Sequence, residues 1–229
     1  MDYIQVQNIA KQTMDFIRTI VKPGMKVAHI RKLCEDKMIE LGADSFWYWD
    51  VGALCFSGED TIVSVSGKDY DTPDKSIQEN DVITIDLSPQ CVDIWGDLAR
   101  TIIVENGVVI ENLNDIINSE WKTGLITEDK LHQEMREFVA RDTTFEQLFF
   151  HINKYIIQCG YTNLDFMGNL GHSIVKTKSD RVYIEKGNNL KLSEVDMFTF
   201  EPHIGIANSK YGYKKENIYF FDGEKVKEL

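Results

Sequence analysis

Two stretches of this chain, 115 residues apart, repeat one pattern: Asp81-Val82-Ile83-Thr84-Ile85-Asp86 and Asp196-Met197-Phe198-Thr199-Phe200-Glu201. Each is a short apolar strand with an acid five residues before a closing acid. A second pair of acids, Asp97 and Glu216, lies 119 residues apart, and the glycines Gly42 and Gly160 lie 118 apart. A near-constant offset that spans helices and strands marks an internal duplication. It restricts the chain to two α+β halves, about 1–108 and 109–229, packed around a pseudo-two-fold axis in one domain. A site between such halves is lined by equivalent positions from each.

The segments around the strands obey the same plan. Ile4, Ile9, Met14, Ile17 and Val21 recur at helical spacing, and Lys22-Pro23-Gly24 breaks the run. Ile30, Leu33, Met38 and Leu41 predict a second helix that Gly42 ends as a left-handed cap. In the second half Met135, Phe138 and Val139 predict a helix. Thr143-Thr144-Phe145-Glu146 reads as a capping box for the next. That helix has Leu148, Ile152, Tyr155 and Ile156 on one face and Gly160 at its end.

Composition excludes several classes. The net charge of -12 disfavours a nucleic-acid partner, because phosphate binding needs clustered Lys and Arg. No run approaches the roughly 18 apolar residues of a membrane span. The N-terminus has no basic segment followed by an apolar run, so no signal peptide is expected. The four cysteines are widely spaced without a CxxC pair, which predicts free thiols and a cytoplasmic location.

The closing acids carry the chemistry. Asp86 ends one apolar strand, and Asp97 precedes the strand Leu98 to Val104, with a turn expected at Ser88-Pro89-Gln90. Antiparallel pairing would bring the two carboxylates together, at a cost of several kcal/mol unless a cation neutralises them. Glu201 and Glu216 repeat the arrangement, and His172 in Gly171-His172-Ser173-Ile174 adds an imidazole at a strand start. Four carboxylates and one imidazole suit two divalent ions, with Mn, Fe, Co and Zn all compatible.

At these residues the sequence resembles the pita-bread metallopeptidases: methionine aminopeptidase, prolidase and Xaa-Pro aminopeptidase. The order Asp86, Asp97, His172, Glu201, Glu216 carries the resemblance, which runs from the first helix to Tyr219. Phe200-Glu201-Pro202-His203-Ile204-Gly205 looks closer to the Xaa-Pro branch, and the chain lacks the extra N-terminal domain of full-length prolidases. The resemblance implies that Asp86 chelates one metal, that His172 and Glu201 bind the other, and that Asp97 and Glu216 bridge them. A water or hydroxide between the metals would attack the scissile carbonyl, with Glu201 taking its proton.

The sequence also departs from that family. Two substrate-contacting histidines are absent: the first belongs near Val63-Ser64-Val65-Ser66-Gly67, and Ser179 stands at the second. His203 is the leading replacement and is assigned a catalytic role beside Glu201. Lys176 and Lys178 are weaker candidates, and Arg100 is expected in a structural ion pair. Phe46-Trp47-Tyr48-Trp49 could line a pocket, form a dimer surface or pack in the core. The expected function is a dinuclear exopeptidase for short peptides, and a homodimer is the assembly considered. The alternatives are a non-peptide amide hydrolase or iron-dependent oxidase on the same fold, and last a binding protein without catalysis.

Overall fold

A computed structural model describes all residues, Met1–Leu229. The first half opens with α1 (Tyr3–Ile20) and α2 (Val27–Glu40). Seven strands follow: β1 (Ser45–Phe46), β2 (Ala53–Ser57), β3 (Asp81–Leu87), β4 (Pro89–Cys91), β5 (Ile94–Trp95), β6 (Leu98–Glu105) and β7 (Val108–Val109). The second half has α3 (Ser119–Phe138) and α4 (Phe145–Gln158). Its strands are β8 (Thr162–Asn163), β9 (Ser173–Ile174), β10 (Met197–Phe200), β11 (His203–Gly205), β12 (Gly212–Lys214), β13 (Asn217–Asp222) and β14 (Lys225–Glu228).

The strand order repeats with the sequence. One antiparallel sheet runs β2-β3-β6-β7 and another β9-β10-β13-β14, while small three-stranded sheets pair β1-β4-β5 and β8-β11-β12. Every strand of the first half thus has a counterpart seven strands later.

Period-two alternation sets what each sheet face carries. On β3, Ile83, Ile85 and Leu87 join Ile9, Met14, Ile17, Ile30 and Met38 of the helices in a core of 19 buried residues. Val82 belongs instead to a second core, also of 19, with Leu131, Met135, Leu148, Ile152, Phe198 and Phe200. The face of β3 that carries Asp86 therefore looks away from its own helices and toward the other half. Each fully buried Ile, Leu or Phe contributes about 1.5–3 kcal/mol, so both cores are substantial.

The halves are joined by hydrogen bonds between β6 and the β12–β13 link. The Glu216 N–H donates to the Ala99 carbonyl at 3.0 Å. The Lys214 N–H donates to Thr101 Oγ1 at 2.9 Å. Arg100 donates to the Glu216 carbonyl at 2.6 Å and to Asn217 Oδ1 at 2.7 Å. Its partners are carbonyl and amide oxygens rather than the carboxylate expected for an ion pair.

Several local expectations are corrected. The capping box uses Thr144 and Gln147, whereas Thr143 Oγ1 accepts from the Ala140 N–H. No turn forms at Ser88-Pro89-Gln90: the chain runs from β3 into β4 and reverses after Cys91, where Val92 has φ 56. Ser88 is instead buried, with its hydroxyl donating to the Val51 carbonyl at 2.6 Å. The helix expected around Met135 begins much earlier, where Asn118 caps the N–H groups of Glu120 and Trp121. The four cysteines are free, and no helix is long and apolar enough to cross a membrane.

Candidate metal centre

The two ladders deliver the four acids from opposite sides. In the first, Asp86 pairs with Ala99, so Asp97 enters two residues earlier, at the start of β6. Its backbone is clamped by one side chain: Gln7 Oε1 accepts from the Asp97 N–H at 2.9 Å, and Gln7 Nε2 donates to the Asp97 carbonyl at 2.7 Å. In the second, Phe200 pairs with Asn217, which places Glu201 and Glu216 opposite each other at the ends of β10 and β13. His172 precedes β9 and is tied to Thr199, whose Oγ1 accepts from the His172 N–H at 2.9 Å. Gly171 makes this approach possible: its φ is +137, and a Cβ there would lie 2.3 Å from the Thr199 carbonyl oxygen.

Oxygen atoms of Asp86, Asp97 and Glu216 lie within 4.8 Å of one another. His172 Nδ1 lies 3.1 Å from the Ser173 carbonyl, which only accepts, so the proton sits on Nδ1. Nε2 then presents a lone pair to Asp97 Oδ2 at 3.6 Å and Glu201 Oε1 at 3.7 Å. Burial pushes the imidazole down to about 4, so it is neutral at physiological pH. Both Glu216 oxygens are buried without a hydrogen-bond partner. Burial and the neighbouring carboxylates, Asp86 beside Asp97 and Asp97 beside Glu216, push both acids well above the usual range. A neutral lone pair and crowded carboxylates that resist ionisation form a donor set in need of a counter-charge. A hard divalent cation fits it.

One residue in this cluster was missed by the sequence reasoning. Lys214 Nζ lies 2.6 Å from Asp86 Oδ2, 3.1 Å from Glu201 Oε2 and 3.8 Å from Glu216 Oε2. It stands two residues before Glu216, so strand alternation puts both side chains on one face; that was the available signal. Burial opposes the charge on Lys214, but Asp86 and Glu201 outweigh it and raise its pKa. Burial likewise opposes ionisation of Glu201, and the net shift is downward. With His172 neutral, the cation that keeps Glu201 ionised is Lys214.

A cavity of about 330 Å³ opens onto these groups and is lined by Asp86, Asp97, His172, Glu201, His203 and Lys214. His203 on β11 is buried, and its Nε2–H donates to the Thr61 carbonyl at 2.7 Å. Burial lowers it to about 4, so it offers the acceptor Nδ1 and not a replacement donor. Ser66 lines the cavity, whereas Ser179, Lys176 and Lys178 do not. The aromatic run divides by residue. Phe46 packs on the first core, and Trp47 lies edge-on to His172 at 5.5 Å. Tyr48 and Trp49 line the cavity, and Trp49 is 58% exposed. Arg181, Tyr183, Glu185 and Asp165 also line it. Each is a single residue outside the repeated strands, and no pattern in one sequence marks it.

The sequence matches the profile of metallopeptidase family M24 over residues 2–222. It is 24% identical over 211 residues to methionine aminopeptidase 1C, chloroplastic/mitochondrial, of Arabidopsis thaliana, covering 89% of this chain and 56% of that protein. Among solved structures, the X-Pro aminopeptidase of Thermotoga maritima superposes with a TM-score of 0.81 at 19% identity, over 99% of this chain and 59% of that one. The prolidase of Pyrococcus furiosus gives 0.81 at 19%, over 99% and 61%. The methionine aminopeptidase of Rickettsia prowazekii gives 0.73 at 18%, over 99% and 95%. The chain thus spans less than two thirds of the length of most of these relatives, and it shares the pita-bread fold with them. Matched in sequence and in fold along almost its whole length, the chain belongs to metallopeptidase family M24.

Proposed function

We propose that this protein is a dinuclear metal-dependent hydrolase acting on short peptides, in the manner of an Xaa-Pro aminopeptidase or dipeptidase. The observation that carries the reading is the approach of the His172 Nε2 lone pair to Asp97 and Glu201, with Asp97 grouped with Asp86 and the buried, unpartnered Glu216. The residues that would hold the ions are Asp86, Asp97, His172, Glu201 and Glu216. Charge supports two ions. Metal binding would require all four carboxylates ionised, and against the Lys214 ammonium they then leave three negative charges, which one divalent ion cannot balance. Two reverse the sign, and a net positive site stabilises a developing oxyanion.

When bound, such ions lower the pKa of a coordinated water and polarise a carbonyl. The chain does the rest. Asp97 and Glu216, fixed by Gln7 and by the Ala99 hydrogen bond, would bridge the two positions. Glu201, kept ionised by Lys214, would accept the proton of the attacking water. Its Oε1 also accepts from Thr199 Oγ1 at 3.1 Å, which fixes the carboxylate plane. Trp47 and Trp95 flank His172 and exclude water from its side of the site. His203 would contribute an acceptor to the cavity. The duplicated halves would form one catalytic domain. The Mn(II)- or Co(II)-loaded protein is expected to cleave dipeptides, and Asp97→Ala to abolish the activity. A metal-loaded protein inert across a dipeptide library would overturn the reading and favour hydrolysis of a non-peptide amide.

A further inference from the structure

His172 is the one nitrogen donor of the proposed centre, and no carboxylate aims its ring from behind. Its Nδ1–H donates to the carbonyl of its own neighbour, Ser173, at 3.1 Å. A ligand imidazole is ordinarily oriented by a hydrogen bond from its second nitrogen to a separate anchor. A contact to the adjacent residue fixes the tautomer but moves with the same stretch of backbone. The tilt of the ring is therefore left to its packing.

Three aromatic rings supply that packing. Trp47 stands edge-on to the imidazole, with centroids 5.5 Å apart and planes at 76°. Tyr183, paired with His172 across an isolated bridge, is also edge-on, at 5.9 Å and 77°. Trp95 closes a third side at 5.8 Å and 46°. These separations lie in the range of attractive aromatic contacts.

The two indoles are held in different ways. The Trp95 Nε1–H donates to the Val175 carbonyl at 2.8 Å. Trp47 Nε1 is buried without a hydrogen-bond partner. Stacking alone therefore holds the Trp47 ring. The Trp95 and Tyr48 centroids lie 4.3 and 5.0 Å from it, and the Arg181 guanidinium carbon lies 4.7 Å from its centroid. Arg181 is itself oriented, because its Nε–H donates to the Lys178 carbonyl at 2.8 Å. It makes no ion pair that would draw the guanidinium off the indole.

We propose that Arg181 is a positioning residue: it clamps the Trp47 indole edge-on to His172 and so keeps the Nε2 lone pair aimed at Asp97 and Glu201. The consequence for metal binding rests on the proposed centre, whereas the orientation of the ring does not. The sign of the effect separates a clamp from a mere charge. A guanidinium acting only as a nearby charge repels a divalent ion, so its removal would tighten binding. Loss of a clamp weakens binding instead. A cation–π contact of this kind is worth a factor of about 2 to 30, which sets the scale of the loss.

The test has a metal-free and a metal-bound readout, both on the full chain. In the metal-free protein, NMR follows the His172 ring protons, assigned among five histidines by their loss in His172→Gln. The Trp47 ring current acts on these protons, so Arg181→Gln should shift them. Arg181→Lys keeps the charge but loses the planar stack, and should shift them part of the way. In calorimetric titration with Mn(II), Arg181→Gln should weaken binding about tenfold and Arg181→Lys by less. On a Trp47→Leu background Arg181→Gln should cause no further loss, because the clamp acts only through the indole. Ring resonances unmoved by Arg181→Gln would overturn the proposal. So would Mn(II) binding that is unchanged or tighter, or a loss undiminished on the Trp47→Leu background. If Trp47→Leu fails to fold, the Arg181 series decides alone. If the wild type binds no Mn(II), the metal centre fails and the ring resonances decide the clamp.

Discussion

In the first half, β3 and β6 bring Asp86 and Asp97 to the centre, and the support behind Asp97 is a neutral amide, Gln7. In the second half, β10 and β13 bring Glu201 and Glu216, and the groups around them are chargeable: Lys214 among the carboxylates, His172 beside β9, His203 on β11 and His132 behind the β12–β13 link. The strand order is the same and the chemistry is not. A duplicated sheet supplies a symmetric frame for acids. Most of the chargeable groups around that frame lie on one side of it.

If the centre belongs equally to both halves, an acid from either should matter equally. Asp97→Ala and Glu216→Gln are each expected to weaken Mn(II) binding by more than about 100-fold, beyond the 10–100-fold typical of groups supporting a ligand. Calorimetric titration checks this, and loss in only one variant would break the symmetry. The chargeable side is tested by Lys214→Met. Removing one partner of a buried ion cluster costs about 3–5 kcal/mol; Lys214 is partly solvent-accessible, so about 2–3 is expected for the metal-free protein. Urea unfolding with and without Mn(II) should show a smaller loss when metal is bound.

A pH series compares Gln7 with His132. His132 Nε2 donates to the Lys215 carbonyl at 3.0 Å, and Nδ1 accepts from the Tyr219 hydroxyl at 2.7 Å. Burial, with Lys215 adding to it, holds the imidazole well below its ordinary value. The unfolded chain therefore binds a proton below pH about 6.5 that the folded chain refuses, and stability is lost as pH falls through that value. The slope from this group is at most about 1.4 kcal/mol per pH unit. His132→Gln should flatten the difference curve between pH 6.5 and 5, whereas Gln7→Leu should shift stability equally at every pH. The smallest effects are the helix caps. Asp2→Ala and Thr144→Ala each open a capping box and should cost about 1 kcal/mol in thermal unfolding, alike in both halves.

The duplication was legible because sheets and helices bury residues at fixed periods, and the same periods return 115 to 119 residues later. The acids were legible for the same reason, since each closes or opens a repeated strand. Turn chemistry was read less well. Ser88-Pro89-Gln90 has turn residues, but pairing of β4 with β1 and β5 overrides them, and the reversal falls on Val92 instead. Lys214 was hidden by composition: a Lys-Lys-Glu run reads as solvated surface until Thr101 and Ala99 fix which face Lys214 and Glu216 share. His203 was assigned a catalytic role from its place beside Glu201, and only the Thr61 carbonyl reveals that its proton is committed. Arg181 and Glu185 needed the third dimension, because their place depends on pairing with the segment around His172.

A metal centre shared by the two halves requires ligands from each. The direct measurement is elemental analysis of the protein reconstituted with Mn(II), beside the Asp97→Ala and Glu216→Gln variants. Two ions per wild-type chain, and a loss of bound metal in both variants, is the predicted result. A wild-type chain that retains no stoichiometric metal, or keeps its metal when either acid is removed, would contradict it.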